Sequence, residues 1–236
     1  MKRILIGLLS FVLALSAGEV YATFNVEAEK NANLAFDASG IIKSVKYSEA
    51  SFVKKGEVLA YLENSDIKAT LDIVKTALKY AKADYERQLK VRTLIDEGKF
   101  DQFAFKYEDA KNQLAYAQAK YEKTFLKAPF DGVIYFKDVE MGDTVSGMML
   151  KTVLKIQSKS ERKLILEFDQ KYHAQVKVGQ KFKYTLDGDS NNYEGTIVKI
   201  YPSASVENRK IKAEVKAKDF VVGLFGSGSI MTPDTK

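Results

Sequence analysis

The chain has 236 residues, of which 46% are hydrophobic and 29% are charged. This composition is typical of a folded protein with one large domain or two to three small ones. Cysteine is absent, which excludes disulfides, thiolate catalysis, zinc fingers and iron–sulfur clusters. The formal net charge is +6. Because the lysines alternate with acidic residues instead of forming a basic block, no nucleic-acid partner is expected.

The N-terminus predicts an export leader. Lys2 and Arg3 precede an apolar run from Ile4 to Ala17, which is too short to span a bilayer comfortably but suits the core of a signal peptide. Val20-Tyr21-Ala22 then fits a small-x-small cleavage site. We predict a signal peptide over residues 1–22. Cleavage after Ala17 is the second choice, and retention as an uncleaved anchor is the third.

Two long helices are predicted in the middle of the chain. Apolar residues recur there in alternating steps of four and three, which is the spacing of a heptad seam. The first seam contains Ile67, Leu71, Val74, Leu78, Ala81 and Tyr85, and the second contains Tyr107, Ala110, Leu114, Ala117 and Tyr121. Asp96 to Lys99, with Gly98, supplies a turn between them. The other faces are polar, which favours a coiled-coil hairpin over 65–125 rather than two helices of a globular bundle.

The segments on either side of the hairpin resemble each other. When Gly40 is aligned with Gly132, the apolar residues that follow match, and Val53 falls on Val145. A short β unit that cannot bury a face alone is expected to pack against its copy. The two segments therefore predict one split β-sandwich from which the hairpin protrudes. Four glycines are expected at turns that need positive φ, namely Gly40, Gly56, Gly132 and Gly142.

The remainder of the chain predicts a small β-barrel domain over 158–230. Apolar and charged residues alternate there with period two, as in Lys210 to Lys218, which indicates strands with one wet face. Asp169 can cap a short helix that runs through Val176. The predicted fold class is therefore α+β. It has a split β-sandwich (34–64 and 126–157), an inserted helical hairpin and a barrel.

In this order, the predicted parts resemble the periplasmic adaptor, or membrane fusion protein, family of tripartite efflux pumps, in its resistance–nodulation–division branch. The family has two lipoyl-like half motifs, one on each side of the hairpin. LKAPFDGVI (126–134) is similar to the signature at the start of the second half motif, and VKKGEVLAYLE (53–63) is similar to the signature of the first. VKVGQKFKYTLDG (176–188) and the stretch Gly195–Pro202 resemble the barrel domain. The resemblance covers roughly Leu34 to Ile230.

The resemblance implies partners and a contact site. An adaptor of this kind joins an inner-membrane transporter to an outer-membrane channel, as a ring of copies in the periplasm associated with the inner membrane. The hairpin tip would contact the channel through Lys90, Leu94, Gly98 and Asp101. This sequence has lysine and aspartate where the efflux branch has arginine and serine. If the alignment slips, Arg87 or Arg92 is the basic partner, and Leu94 is alternatively a core residue of the hairpin.

Catalytic and cofactor chemistry is not expected. The single histidine, His173, has no nucleophile elbow with it and too few companions for a zinc or copper site, and a surface position is expected. The helical insertion occupies the place where a lipoyl carrier displays its lysine, so no acylation, cofactor or metal is predicted. The alternatives are an adaptor of an ATP-driven exporter or type I secretion system and, from another class, a periplasmic binding protein or chaperone.

Overall fold

The computed structural model describes residues 17–149 and 151–233. It contains two α-helices and fourteen strands, numbered in chain order. The strands are β1 (Ala17–Ala28), β2 (Asn31–Leu34), β3 (Gly40–Val45), β4 (Phe52–Val53), β5 (Val58–Leu62), β6 (Phe125–Lys127), β7 (Gly132–Lys137), β8 (Thr144–Val145), β9 (Leu154–Ser158), β10 (Glu161–Asp169), β11 (Lys181–Leu186), β12 (Tyr193–Ala204), β13 (Lys210–Lys218) and β14 (Phe225–Pro233). The helices are α1 (Ser65–Lys90) and α2 (Glu97–Glu122).

The chain divides into two compact units, and residues 30–159 form one of them. Its sandwich consists of two four-stranded sheets, in the orders β2-β9-β7-β4 and β6-β5-β3-β8. Leu59, Ile134 and Ile156 are fully buried in the core of this sandwich. The helices α1 and α2 are inserted between β5 and β6 and pack against each other as an antiparallel hairpin.

The internal repeat predicted from the sequence is present in this sandwich. β3, β4 and β5 of the first half correspond to β7, β8 and β9 of the second. The halves exchange their shortest strands, since β4 pairs with β7 and β8 pairs with β3. Each half thus completes a sheet of the other, which explains why a single half motif could not bury its own apolar face.

Only two of the four glycines expected at positive φ adopt it. Gly56 has φ +84° and Gly142 has φ +97°. Gly40 and Gly132 instead begin strands β3 and β7, so their assignment as positive-φ turns is wrong. Gly132 is required for another reason, because a Cβ there would lie 2.4 Å from the carbonyl oxygen of Gln157 on the neighbouring strand.

The second unit is a closed six-stranded barrel in the order β1-β10-β13-β12-β11-β14. Its core includes the fully buried Phe168, Phe182 and Ile230. Between β10 and β11, only Gln170–Tyr172 form a helical turn, a short 3-10 helix that Asp169 caps by accepting a hydrogen bond from the Lys171 backbone N–H. The short helix predicted to run through Val176 is therefore reduced to this turn.

The barrel begins at Ala17, well before the boundary predicted at residue 158. β1 pairs with β10 on one side and β14 on the other, and its side chains Val20 and Ala22 are each only 1% exposed. The predicted leader boundary at residue 22 therefore falls inside a barrel strand, and cleavage after Ala22 does not fit this structure. The rest of the predicted leader, residues 1–16, lies outside the described residues. The predicted α+β architecture of sandwich, hairpin and barrel is confirmed.

Candidate functional site

The two helices of the hairpin meet along the predicted heptad seams. Leu71 on α1 and Ala110 and Ala117 on α2 are buried, and the other seam residues are half-buried. Each helix has 26 residues, which corresponds to about 39 Å at 1.5 Å per residue. Leu89, which the regular seam does not include, is exposed. The hairpin is therefore a narrow two-helix element, with most of its surface outside the seam.

Aromatic side chains fix the tip of the hairpin. Tyr85 of α1 stacks on Tyr107 of α2, with 5.2 Å between the ring centres. The centres of the Tyr85 and Phe100 rings are 5.6 Å apart. The guanidinium of Arg92 lies 4.4 Å from the centre of the Phe100 ring and 3.6 Å from a carboxylate oxygen of Glu97. Arg92 thus holds the loop between the helices to α2, and the Tyr85 contacts join α2 to α1, so these side chains order the tip.

The predicted contact residues all lie at this end of the hairpin. Lys90 is the last residue of α1, and Leu94 ends a 3-10 turn over Arg92–Leu94. The Leu94 side chain is 86% exposed, which is incompatible with its alternative role as a core residue. Asp101 is exposed on α2.

Gly98 is not part of the loop between the helices. It lies in the first turn of α2, and Asp96 caps that helix by accepting a hydrogen bond from the Lys99 backbone N–H at 3.2 Å. Of the two alternative basic residues, Arg92 is engaged by Phe100 and Glu97, while Arg87 pairs with Asp84 on α1 and keeps 66% of its side chain exposed.

Polar contacts hold the root of the hairpin to the sandwich. The Asn64 side-chain amide donates to the Thr124 hydroxyl at 2.8 Å, and Thr124 is only 1% exposed. Asn64 thus joins the two ends of the hairpin, and its side chain makes no capping hydrogen bond to α1. Lys123 also pairs with Asp37 of the sandwich at 2.8 Å.

A charged pair at the same root shifts the titration of both partners. The Lys43 ammonium donates to the Glu63 carboxylate at 2.6 Å, and the Ser65 hydroxyl donates to the other oxygen of Glu63. These hydrogen bonds, Lys43 first, lower the pKa of Glu63 from its ordinary value near 4.5 to about 2. The same bond raises the pKa of Lys43. The root is therefore charged and paired at neutral pH.

The outer faces of the hairpin, turned away from the seam, carry large apolar side chains that the sequence reasoning missed. Ile73 and Tyr80 on α1 are 69% and 63% exposed, and Phe105 and Tyr116 on α2 are 71% and 65% exposed. The sequence does indicate this face, because Ile73 and Tyr80 are one heptad apart. Its periodicity is weaker than that of the inner seam, which accounts for the omission.

The described residues of the barrel unit contain no candidate metal-binding cluster. His173 is exposed, with its Nδ1 3.1 Å from the Gln170 carbonyl oxygen. Within residues 17–149 and 151–233, no three His, Asp or Glu side chains come together as a metal site. Across the same ranges, no helix has both the length and the apolarity that a membrane crossing needs.

A lipoyl-like sandwich that carries a coiled-coil hairpin, together with a six-stranded barrel, defines the class of periplasmic adaptors that the sequence resembles. The chain belongs to the family of the CzcB-like barrel-sandwich hybrid domain, whose model matches residues 30–156, more than half of the chain. The periplasmic adaptor family predicted from the motifs is confirmed, and its resistance–nodulation–division branch stays a prediction.

Two solved structures share this architecture. A chimera of MacA that contains the α-hairpin of Pseudomonas aeruginosa MexA is 20% identical, with a TM-score of 0.84 over 93% of this chain and 84% of that one. MacA of Actinobacillus actinomycetemcomitans is 19% identical, with a TM-score of 0.75 over 93% and 81%. An uncharacterised protein of Haemophilus influenzae is 23% identical over 164 residues, which are 69% of this chain but only 42% of that protein. The chain thus spans less than half of this curated relative.

Proposed function

We propose that this protein is a periplasmic adaptor that links an inner-membrane efflux transporter to an outer-membrane channel, without catalysing a reaction itself. The observation that carries the proposal is the hairpin tip. The aromatic contacts of Tyr85 with Tyr107 and Phe100 join the two helices near the tip, and Leu94 in the loop between the helices is 86% exposed. A large apolar side chain at the end of a two-helix projection suits a docking contact with another protein.

The proposed assembly is a ring of copies, with the hairpin tips towards the channel and the β domains towards the transporter. The transporter is of the resistance–nodulation–division class, and the cargo is a drug or another toxic compound. An adaptor for an ATP-driven exporter is the competing assignment. Purification of the assembled complex, followed by mass spectrometry of the copurified membrane protein, distinguishes the two transporter classes.

The proposed location is the periplasm, with association at the inner membrane. Because Val20 and Ala22 belong to the barrel core, we expect any cleavage of the leader to occur no later than Ala17. This was the second choice from the sequence. Mass spectrometry of the N-terminal peptide from protein isolated from the periplasm tests this boundary. An N-terminus at Thr23 would contradict it.

The experiment that tests the adaptor role compares two equally drastic changes. Leu94→Asp puts a charge on the exposed tip, and Val206→Asp puts one on a barrel loop where the side chain is 96% exposed. Capture of both the transporter and the channel after cross-linking in cells is the readout. We expect Leu94→Asp to lose the channel at least tenfold and Val206→Asp to keep it. Failure of the unmodified protein to capture any channel would contradict the proposal.

A further inference from the structure

A cavity of about 640 Å³ opens at one mouth of the barrel, where β10 and β12 begin and β13 ends. All of its lining residues belong to the barrel unit, whereas the hairpin with the proposed docking contact belongs to the other unit. Its volume falls within the roughly 300–1,000 Å³ of small-molecule sites, and the mouths of β-barrels are among the places where such sites form. The cavity is therefore a candidate ligand site separate from the hairpin.

Three aromatic rings line the cavity. Tyr184 and Tyr193 lie opposite each other on β11 and β12 and stack, with 5.5 Å between the ring centres. The rings of Tyr193 and Phe220 meet at 86°, with their centres 5.1 Å apart. Stacked and edge-on contacts of this kind are the ones that a further flat ring can also make. This part of the cavity therefore suits a planar aromatic group.

The hydroxyls of the two tyrosines differ in their partners. The Tyr193 hydroxyl donates to the Asp189 carboxylate at 2.7 Å, which fixes the Tyr193 ring. The Tyr184 side chain is only 6% exposed, and its hydroxyl forms no hydrogen bond with a described residue. Because no fully buried side-chain oxygen or nitrogen of the described residues lacks a partner, this hydroxyl must reach the cavity that Tyr184 lines. Burial raises the pKa of Tyr184, so the hydroxyl stays neutral and can donate to a ligand.

Unpaired charges of both signs surround the rings. Glu194 is engaged by Lys181 at 3.1 Å. In contrast, Glu29, Lys216 and Lys218 line the cavity, are exposed, and form no ion pair with a described residue. In the strand order β1-β10-β13, the acid follows β1 and the two lysines lie on β13. Two strand spacings separate them, about 10 Å across the mouth, and their flexible side chains can approach one ligand from both sides.

We propose that this cavity binds a planar aromatic molecule that carries both a carboxylate and an ammonium group. Its planar part packs against the three rings, its carboxylate contacts Lys216 and Lys218, and its ammonium contacts Glu29. The Tyr184 hydroxyl donates a hydrogen bond to an acceptor atom of the ligand. A ligand with a single charge leaves one side of the mouth unpaired and is bound less tightly. The site is independent of the proposed adaptor function, because the barrel unit alone supplies every contact.

Four indoles with different charges test the proposal. Tryptophan carries both charges, indole-3-propionate lacks the ammonium, tryptamine lacks the carboxylate, and indole lacks both. The chain contains no tryptophan, so indole fluorescence reports the ligand alone. We expect saturable binding of tryptophan to the purified protein, and about fivefold weaker binding for each charge that is removed. No saturable binding of tryptophan, or equally tight binding of indole, would overturn the proposal.

Charge variants assign the two ends of the ligand. Glu29→Gln should weaken tryptophan and tryptamine about fivefold and leave indole-3-propionate unchanged. The double variant Lys216→Gln with Lys218→Gln should weaken tryptophan and indole-3-propionate and leave tryptamine unchanged. The matched control is Lys183→Gln, which removes an exposed lysine of β11 that does not line the cavity. Variants that weaken all four ligands alike, or not at all, would overturn the proposal.

Removal of one hydroxyl tests the polar anchor. Tyr184→Phe keeps the stacked ring and should weaken tryptophan about fivefold. Its matched control is Tyr21→Phe, which removes a hydroxyl from a side chain that is 64% exposed and does not line the cavity. Thermal melting of both variants confirms that the barrel is folded. Equal affinity of the two variants for tryptophan would overturn the role of Tyr184. Failure of channel capture would contradict the adaptor function and leave this site in place.

Discussion

The hairpin and the barrel differ in how they bury their apolar side chains. The barrel closes on itself and buries the inward residues of all six strands, such as Val20, Phe182 and Val215. The hairpin buries only the narrow seam between two helices and leaves Ile73, Tyr80, Phe105 and Tyr116 more than 60% exposed. The barrel therefore has a closed core within one chain, although Tyr21, Val206 and Phe225 are exposed on its outside. The hairpin has no comparable core, and its large apolar side chains are exposed along both helices.

Removal of the first half of β1 is expected to destabilise the barrel, and this is the largest of the expected effects. A chain that begins at Thr23 lacks the residues that pair with Gly228 to Pro233 of β14 and loses Val20 and Ala22 from the core. An open barrel exposes both sheet edges and part of its core to water. We expect no cooperative thermal unfolding of the barrel in this chain, whereas a chain that begins at Gly18 unfolds cooperatively. Two similar calorimetric transitions would contradict the account.

Leucine-to-alanine changes in three places should give a graded series. Leu166→Ala in the barrel core, where the side chain is 0% exposed, is expected to lower the free energy of unfolding by about 2–5 kcal/mol. Leu71→Ala in the seam should cost about 2 kcal/mol, because the facing helix can partly close the gap and alanine favours the helix. Leu94→Ala at the tip should change stability by no more than about 0.5 kcal/mol. Denaturant unfolding of the three variants checks this order. A clear loss of stability in Leu94→Ala would show that the Leu94 side chain packs against the hairpin and contributes to its stability.

Two glycines of the sandwich should respond differently to the same change. Gly132→Ala places a Cβ 2.4 Å from the backbone oxygen of Gln157, which cannot move away without disturbing the sheet. Its expected cost is about 1–3 kcal/mol. Gly40→Ala meets only the flexible Leu62 side chain at 3.4 Å and should be close to neutral. Thermal melting of both variants is the measurement, and a larger loss of stability for Gly40→Ala than for Gly132→Ala would contradict this explanation.

The root of the hairpin should weaken in acid, with the smallest effect of the series. The lowered pKa of Glu63, about 2 in the folded protein, means that its stabilisation is fully present above about pH 4.5 and is lost as the pH falls towards 2. Hydrogen exchange in the first turn of α1 should therefore accelerate, after correction for intrinsic rates, between pH 4.5 and 2. Glu63→Gln should abolish this dependence, and an unchanged profile in that variant would show that another group is responsible.

The sequence predicted what depends on periodicity and repetition. The inner seams, such as Leu71 with Ala110, follow from heptad spacing, and the split sandwich follows from the match around Gly40 and Gly132. Strand β1 was missed because Val20-Tyr21-Ala22 also satisfies a cleavage site, and only its pairing with β10 and β14 decides between the two readings. The reason for Gly132, a close approach to Gln157, is likewise a tertiary contact that no local pattern contains.

The most direct test of the central claim is a photo-activated cross-linker at position 94 in living cells. If the hairpin tip docks on a channel, irradiation should attach this residue to an outer-membrane protein, which mass spectrometry identifies. The same cross-linker at position 206 on the barrel should not capture that protein. Capture of the channel from position 206 but not from position 94, or of no membrane protein from position 94, would contradict the adaptor assignment.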